Sequence, residues 1–143
     1  MGAMSAASLS TRIGVSMYRR LDGRAMGGSP EAPVVLLTVA GRRSGLPRPA
    51  CVRAIHSEGG AYLVWGTASG RPQDPDWFRN LRHAGRATLQ DGHDVHEVLA
   101  VELTGAERDA VWRDVVLATL PAVERYAAKA GRTIPVARLT PTS

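Results

Sequence analysis

A chain of 143 residues, 44% of them hydrophobic, is the size of one ordinary domain and can bury about two thirds of its unfolded surface. It contains no run of about 18 apolar residues and no basic leader followed by an apolar stretch. The lack of both makes a cytoplasmic protein the expectation, and the single cysteine, Cys51, excludes an internal disulfide and thiolate-rich zinc sites. Eighteen Lys+Arg against 13 Asp+Glu leave a net charge of +5, which calls for an anionic partner without choosing between nucleic acid, a membrane surface and a polyanionic small molecule.

Residues 1–8 are small and polar and are set apart as a flexible N-terminus or an expression scar, leaving 9–143 as the expected domain. From Leu9, the apolar residues Leu9, Ile13, Met17 and Leu21 recur every fourth position, with Arg12, Arg19, Arg20 and Arg24 between and after them. This spacing predicts a basic amphipathic helix ending near Gly23. Packing of one face on the core is its plainest reading, and docking on an anionic membrane surface is the second.

The short β-branched run Val34–Val39 reads as a buried strand. After the turn Gly41–Pro47, a second strand is expected over about Arg48–His56. The turn Glu58-Gly59-Gly60 then leads to a third, Tyr62–Trp65, so that the three would form an antiparallel meander. Thr67–Gln73 is a loop of small residues. Asp74 is placed to cap the next helix and Pro75 to occupy its first turn, and that helix carries Trp77, Phe78 and Leu81 to a stop at Gly85.

Strands Arg86–Gln90 and about Asp94–Leu103 follow, joined through Asp91-Gly92-His93. Thr104 and Glu107 have the spacing of a capping box for a helix through Leu120, which Pro121 interrupts. A shorter helix runs to Lys129, and Ile134–Leu139 closes the chain as a strand. Six strands, few helices and no βαβ alternation predict a mainly β fold with flanking helices (α+β), in the form of a small antiparallel barrel.

Among chemical signatures, GxGxxG, GxxxxGK[ST], GxSxG and HExxH are absent. His93 and His96 are three apart, and His96 lies in an expected strand, so they do not make a ligand pair. No metal site is predicted. Asp74 and Asp76 sit where a helix N-terminus favours acidic side chains, which explains them better than acid/base chemistry. With aromatics at only 5% and no stacking motif, nucleic-acid binding ranks last.

The turn Gly41-Arg42-Arg43-Ser44-Gly45-Leu46-Pro47-Arg48 stands out. Two glycines permit positive φ, so successive amides can converge on an anion, and three arginines and a serine surround them. An idle, solvated basic hairpin would look the same.

Several segments, taken together and in order, resemble the deazaflavin (F420)-dependent nitroreductase and F420H2-dependent quinone reductase family. They are Met17–Gly23, Gly27-Gly28, Leu36-Leu37-Thr38 leading into Gly41–Arg48, Pro75–Leu81 and Gly131–Val136. The resemblance covers nearly everything after Gly14 and implies a split β-barrel of the FMN/F420-binding type. The implied cofactor is reduced F420, with FMN as the alternative. It also implies hydride transfer to a quinone-like or nitro-activated hydrophobic acceptor. A non-catalytic binder of F420, flavin or a lipid-like ligand on the same barrel is the alternative function.

Carried over by position, Arg42, Arg43, Ser44 and Arg48 would hold the phosphate and glutamate tail. Pro49, Ala50, Cys51, Val52 and Arg53 would run beside the ribityl chain and ring, with Gly66, Thr67 and Ala68 close to the ring and Asp76, Trp77, Phe78 and Asn80 lining it. Thr67 and Tyr126 are the candidates for supplying a proton or hydrogen bond to the acceptor. Nitroimidazole-activating members carry three tyrosines at a spacing of three, where this chain has Leu120, Val123 and Tyr126. A less aromatic acceptor pocket is therefore expected. Oligomeric state is not legible.

Overall fold

The computed structural model describes residues 28–142. The predicted basic helix Leu9–Gly23 and the tail 1–8 lie outside the described residues. Seven strands are described: β1 Val34–Ala40, β2 Pro47–Arg53, β3 Ile55–His56, β4 Tyr62–Trp65, β5 Arg86–Asp91, β6 Asp94–Leu103 and β7 Val136–Pro141. All pairings between them are antiparallel, in the order β2-β1-β5-β6-β7-β4-β3.

That order corrects the expected meander. β4 pairs with β7 and β3, not with β2. The predicted second strand breaks at Ala54, which is fully buried and donates its N–H to the Pro33 carbonyl at 2.9 Å instead of to a neighbouring strand. β2 and β3 thus sit at opposite ends of the strand order while being separated by one residue of chain. Both ends must approach this corner, so the sheet curls into the half-barrel of split-barrel proteins.

Helix α1, Asp76–Ala84, lies after β4, and α2, Gly105–Val111, runs through a π-helical turn, Trp112–Val116, into Leu117–Thr119. Leu120–Ala122 then breaks the chain before α3, Val123–Ala130, where Pro121 denies the backbone a donor. Neither predicted cap forms. Pro75 occupies the N-cap position of α1, and Asp74 is drawn away by Arg82 at 3.1 Å and Arg132 at 2.6 Å. Thr104 makes no side-chain cap, and Glu107 faces Arg138 at 3.6 Å.

Two large apolar clusters lie among the described residues. One is the barrel interior, with Val35, Leu37, Val39, Leu89 and Leu139 packed against Phe78 and Leu81 of α1. The second joins Ile55, Leu63, Trp65 and Ile134 to Val116, with Trp112, Leu120 and Val123 packed against them. The strand face alternation therefore has two buried sides over β4, whose four residues are all buried.

Candidate functional site

Three segments converge on the N-terminus of α1: the basic turn between β1 and β2, the edge strand β2, and the loop after β4. The turn is closed by the Gly41 N–H donating to the Leu46 carbonyl at 2.9 Å and the Gly45 N–H donating to the Gly41 carbonyl at 2.8 Å. Gly45 has a φ of 74°, the left-handed conformation that glycine adopts without steric cost. Gly41 is required for a different reason. A Cβ there would lie 2.9 Å from the Ser44 hydroxyl and 3.4 Å from the Arg48 side chain.

This geometry changes how the turn can hold an anion. The amides of Gly41 and Gly45 serve the turn, the Leu46 N–H donates to Ser44 Oγ at 3.2 Å, and the Arg42 N–H donates to Asn80 Oδ1 at 3.1 Å. The expected convergence of backbone amides is largely spent inside the fold, and what remains for a ligand is side-chain chemistry. Arg42 also donates from its guanidinium to Asn80 Oδ1 at 2.8 Å and to Asp76 Oδ1 at 3.2 Å, fastening the turn to the first two turns of α1. Among the described residues Arg43 is exposed and makes no ion pair, and Arg48 is exposed with one long contact, 3.5 Å, to Ser44 Oγ. Arg43, Ser44 and Arg48 form the open cationic surface, and Arg42 supports it.

Among the described residues, β2 is the end strand of the sheet, bonded on one side only, to β1. Alternation divides its predicted contacts. Val52 and Ala50 belong to the barrel interior, whereas Cys51 packs on the other face against Leu36 and Val34. Burial pushes the Cys51 thiol pKa up, so the group stays protonated at neutral pH. Arg53 Nε donates to the Ala32 carbonyl at 2.5 Å and so holds the chain entering β1. Side chains on both faces of β2 cannot meet one ligand. What the segment Pro49–Arg53 offers a ligand is its outer backbone edge, to which alternate residues turn their N–H and C=O groups.

On α1, Trp77 is half-buried and meets Phe78 edge-on at 5.4 Å. Phe78 has no exposed surface, so its ring supports the site from within the core instead of lining it as expected. Asn80, 6% exposed, is likewise committed to Arg42. Asp76 is open at the helix N-terminus, its side chain 81% exposed.

The loop after β4 is tightly built. Gly66 lies between Pro75 and Pro135, and a Cβ would come within 2.9 Å of the Pro75 ring. Ala68 and Ser69 have φ of 49° and 55°, conformations that cost a non-glycine residue of order 1 kcal/mol or more each, and Gly70 continues at 85°. Gly70 abuts the side chain of Lys129 on α3. Tyr126, one helical turn earlier on α3, is 47% exposed, and Thr67 is half-buried in the loop. Leu120 and Val123, at the expected aromatic positions, pack into the second core.

Sequence reasoning missed Arg132, whose guanidinium threads the loop, and Arg82, which joins Asp74 to Glu102 at 2.6 Å. Glu102 and Asp74 together hold the Arg82 guanidinium firmly charged. The Gly131–Val136 segment carried the signal for Arg132 only as part of a pattern. No helix among the described residues is long and apolar enough to cross a membrane.

The chain resembles known proteins over most of its length. It is 27% identical to an F420H2-dependent quinone reductase of Mycobacterium tuberculosis, across 90% of this chain and 88% of that one. A solved F420-H2 dependent reductase superposes with a TM-score of 0.65 at 30% identity, covering 77% of this chain and 94% of the other. A solved domain-swapped dimer superposes with a TM-score of 0.67 at 27% identity, covering 94% and 99%. The family model of F420H2-dependent quinone reductases matches residues 10–141. The chain is a member of the F420H2-dependent quinone reductase family, an oxidoreductase family whose cofactor is coenzyme F420.

Proposed function

We propose that this protein reduces a hydrophobic, quinone-like acceptor with F420H2, holding the cofactor's anionic tail at Arg43, Ser44 and Arg48 and its ring between the free edge of β2 and the loop Gly66–Ala68. The observation that carries this reading is the open cationic turn at the end of an edge strand, braced on α1 by Arg42, Asn80 and Asp76. Its donor set fits the group: exposed guanidinium groups and a hydroxyl suit a phosphate followed by carboxylates. When bound, F420H2 supplies a hydride, and the protein's work is placement, exclusion of water and stabilisation of the reduced acceptor's charge.

Thr67 and Tyr126 are the polar groups assigned to that last task, from the loop and from the helix packed on it. With Leu120 and Val123 folded into the second core, the acceptor end offers few rings. This favours quinone-like acceptors over flat nitroaromatics that depend on stacking. The basic amphipathic pattern Leu9–Leu21 supports a cytoplasmic enzyme that meets its acceptor at the inner face of the membrane.

Titration with F420 and with FMN, followed by an assay of F420H2 oxidation by menadione, tests the reading. Submicromolar F420 binding with turnover is expected, on the order of 8 kcal/mol or more of binding free energy. Tight FMN binding without F420 binding overturns it, and F420 binding without turnover on any quinone favours the non-catalytic binder. Flotation with anionic vesicles checks the membrane contact, with binding expected to weaken as salt is raised.

A further inference from the structure

We infer that Arg132 is a positioning residue: its guanidinium holds the loop Gly66–Asp74 in a left-handed backbone conformation that presents Thr67 and Ala68 to the cofactor ring. The inference deepens the proposed F420H2 reductase and rests on that reading for its catalytic consequence.

α3 ends at Gly131, which places Arg132 directly over the loop. Five acceptors from that loop meet the one side chain. Nε donates to the Arg71 carbonyl at 3.2 Å, and Nη1 donates to Asp74 Oδ1 at 2.6 Å. Nη2 is shared by the carbonyls of Gly66 at 3.0 Å, Gln73 at 2.9 Å and Thr67 at 3.3 Å. The acceptors bracket the whole loop, from its first residue to the residue before Pro75. Only a planar fork with several donors can satisfy carbonyls that arrive from both ends of a loop, and a lysine ammonium could not.

Between those anchor points lies the costly backbone, Ala68 and Ser69 at positive φ. Such a conformation persists only where its surroundings over-determine it. Within the loop itself, the closing bonds are the Gly70 N–H to the Thr67 carbonyl at 2.9 Å and the Arg71 N–H to the Ala68 carbonyl at 3.1 Å. Two such bonds are comparable in strength to the conformational cost of two left-handed residues and do not by themselves fix the loop. The guanidinium, with its 16% exposed side chain, supplies the missing constraint, and Asp74 passes it on through Arg82 to Glu102 of β6. The loop is thereby tied to α1 and to the sheet, the same frame that carries the cationic turn.

The consequence separates two functions of the site. The proposed tail site lies in the turn, none of whose residues accepts a hydrogen bond from Arg132, so cofactor affinity should depend little on Arg132. Alignment of the ring depends on the loop, and small misplacements at a reacting centre cost rate steeply.

The test compares the full-length protein with Arg132→Lys, which keeps the charge and loses the fork. In the unliganded proteins, amide hydrogen exchange at Gly70 and Arg71 is expected to quicken by about tenfold or more in the variant, while amides of β1 and β5 are unchanged. With cofactor, F420 affinity should stay within about threefold, and single-turnover oxidation of bound F420H2 by menadione should fall by about 100-fold. Added guanidinium should restore part of that rate in Arg132→Ala. Should Arg132→Lys fail to fold, Asp74→Ala removes one acceptor of the fork and is expected to speed the same two amides by a smaller factor.

Unchanged loop exchange overturns the inference, as does a loss of F420 affinity with an unchanged single-turnover rate. A wild-type protein that binds no F420 overturns the functional reading instead, and exchange in the unliganded protein still decides whether Arg132 holds the loop.

Discussion

The turn Gly41–Arg48 and the loop Gly66–Asp74 flank the same helix N-terminus and are built on opposite plans. In the turn, the backbone is relaxed apart from Gly45, the amides of Gly41, Arg42, Gly45 and Leu46 are consumed internally, and the side chains of Arg43 and Arg48 are exposed. In the loop, the side chains from Gly66 to Gly70 are small, the backbone adopts a costly conformation, and a single arginine just after α3 reaches in to hold it. Under the proposed function, the turn recognises by charge, which tolerates motion, and the loop positions by shape, which does not.

Perturbing the support that both share should have the largest effect. Phe78, with no exposed surface, lies in the barrel interior beneath α1, and Phe78→Ala is expected to cost about 3–5 kcal/mol of stability in urea unfolding. Loss well below this range would show that α1 can settle onto the barrel independently of its ring.

Next in size, Gly70→Val attacks the loop alone. The position has φ 85°, and a Cβ would lie 2.7 Å from the Lys129 side chain, so about 2–3 kcal/mol should be lost. Hydride transfer should fall more than F420 affinity does. Equal losses in both would erase the distinction between the two regions.

A smaller effect, in the turn alone, is expected from Arg43→Glu. Exposed and without an ion pair among the described residues, Arg43 is free to change charge without unfolding the protein. F420 affinity should fall by about tenfold, equivalent to about 1.4 kcal/mol, and the melting temperature should stay the same. Raising salt should shrink the difference.

The smallest expected effect is chemical. Burial raises the Cys51 pKa, so less thiolate is present at pH 8 than for an unburied cysteine. Alkylation should be slow there and should speed as pH rises toward the elevated pKa. Rapid labelling at pH 7 would show that β2 opens at its free edge.

Much of the local structure could be read from residue pattern. β1 appears where Val34–Val39 was expected, α1 stops at Gly85, and α3 ends beside Lys129. These outcomes follow from side-chain periodicity, glycine and proline, which act within a few residues. The misplaced features share one physical cause. Asp74 was read as a cap because it precedes a helix, yet two arginines, Arg82 and Arg132, reach it through space. Thr104 and Glu107 had capping-box spacing, and Arg138 of β7 draws Glu107 away. β4 seemed a natural neighbour of β2 until the corner at Ala54 sent β3 to the other end of the sheet.

The sequence by itself determined where most strands lie, the stop of α1 and the basic turn, and its ordered motifs pointed to the F420H2-dependent family, because each of these is a local or additive property of the chain. Only the tertiary structure decided that Arg42 braces the turn while Arg43 and Arg48 stay open. Tertiary packing also decided that Phe78 and Asn80 support the site from behind, and that Arg132 gathers the carbonyls of a loop some sixty positions earlier in the chain. A guanidinium reads the same in sequence wherever it falls. Its partner is chosen by the curl of the sheet that brings distant segments to one helix end.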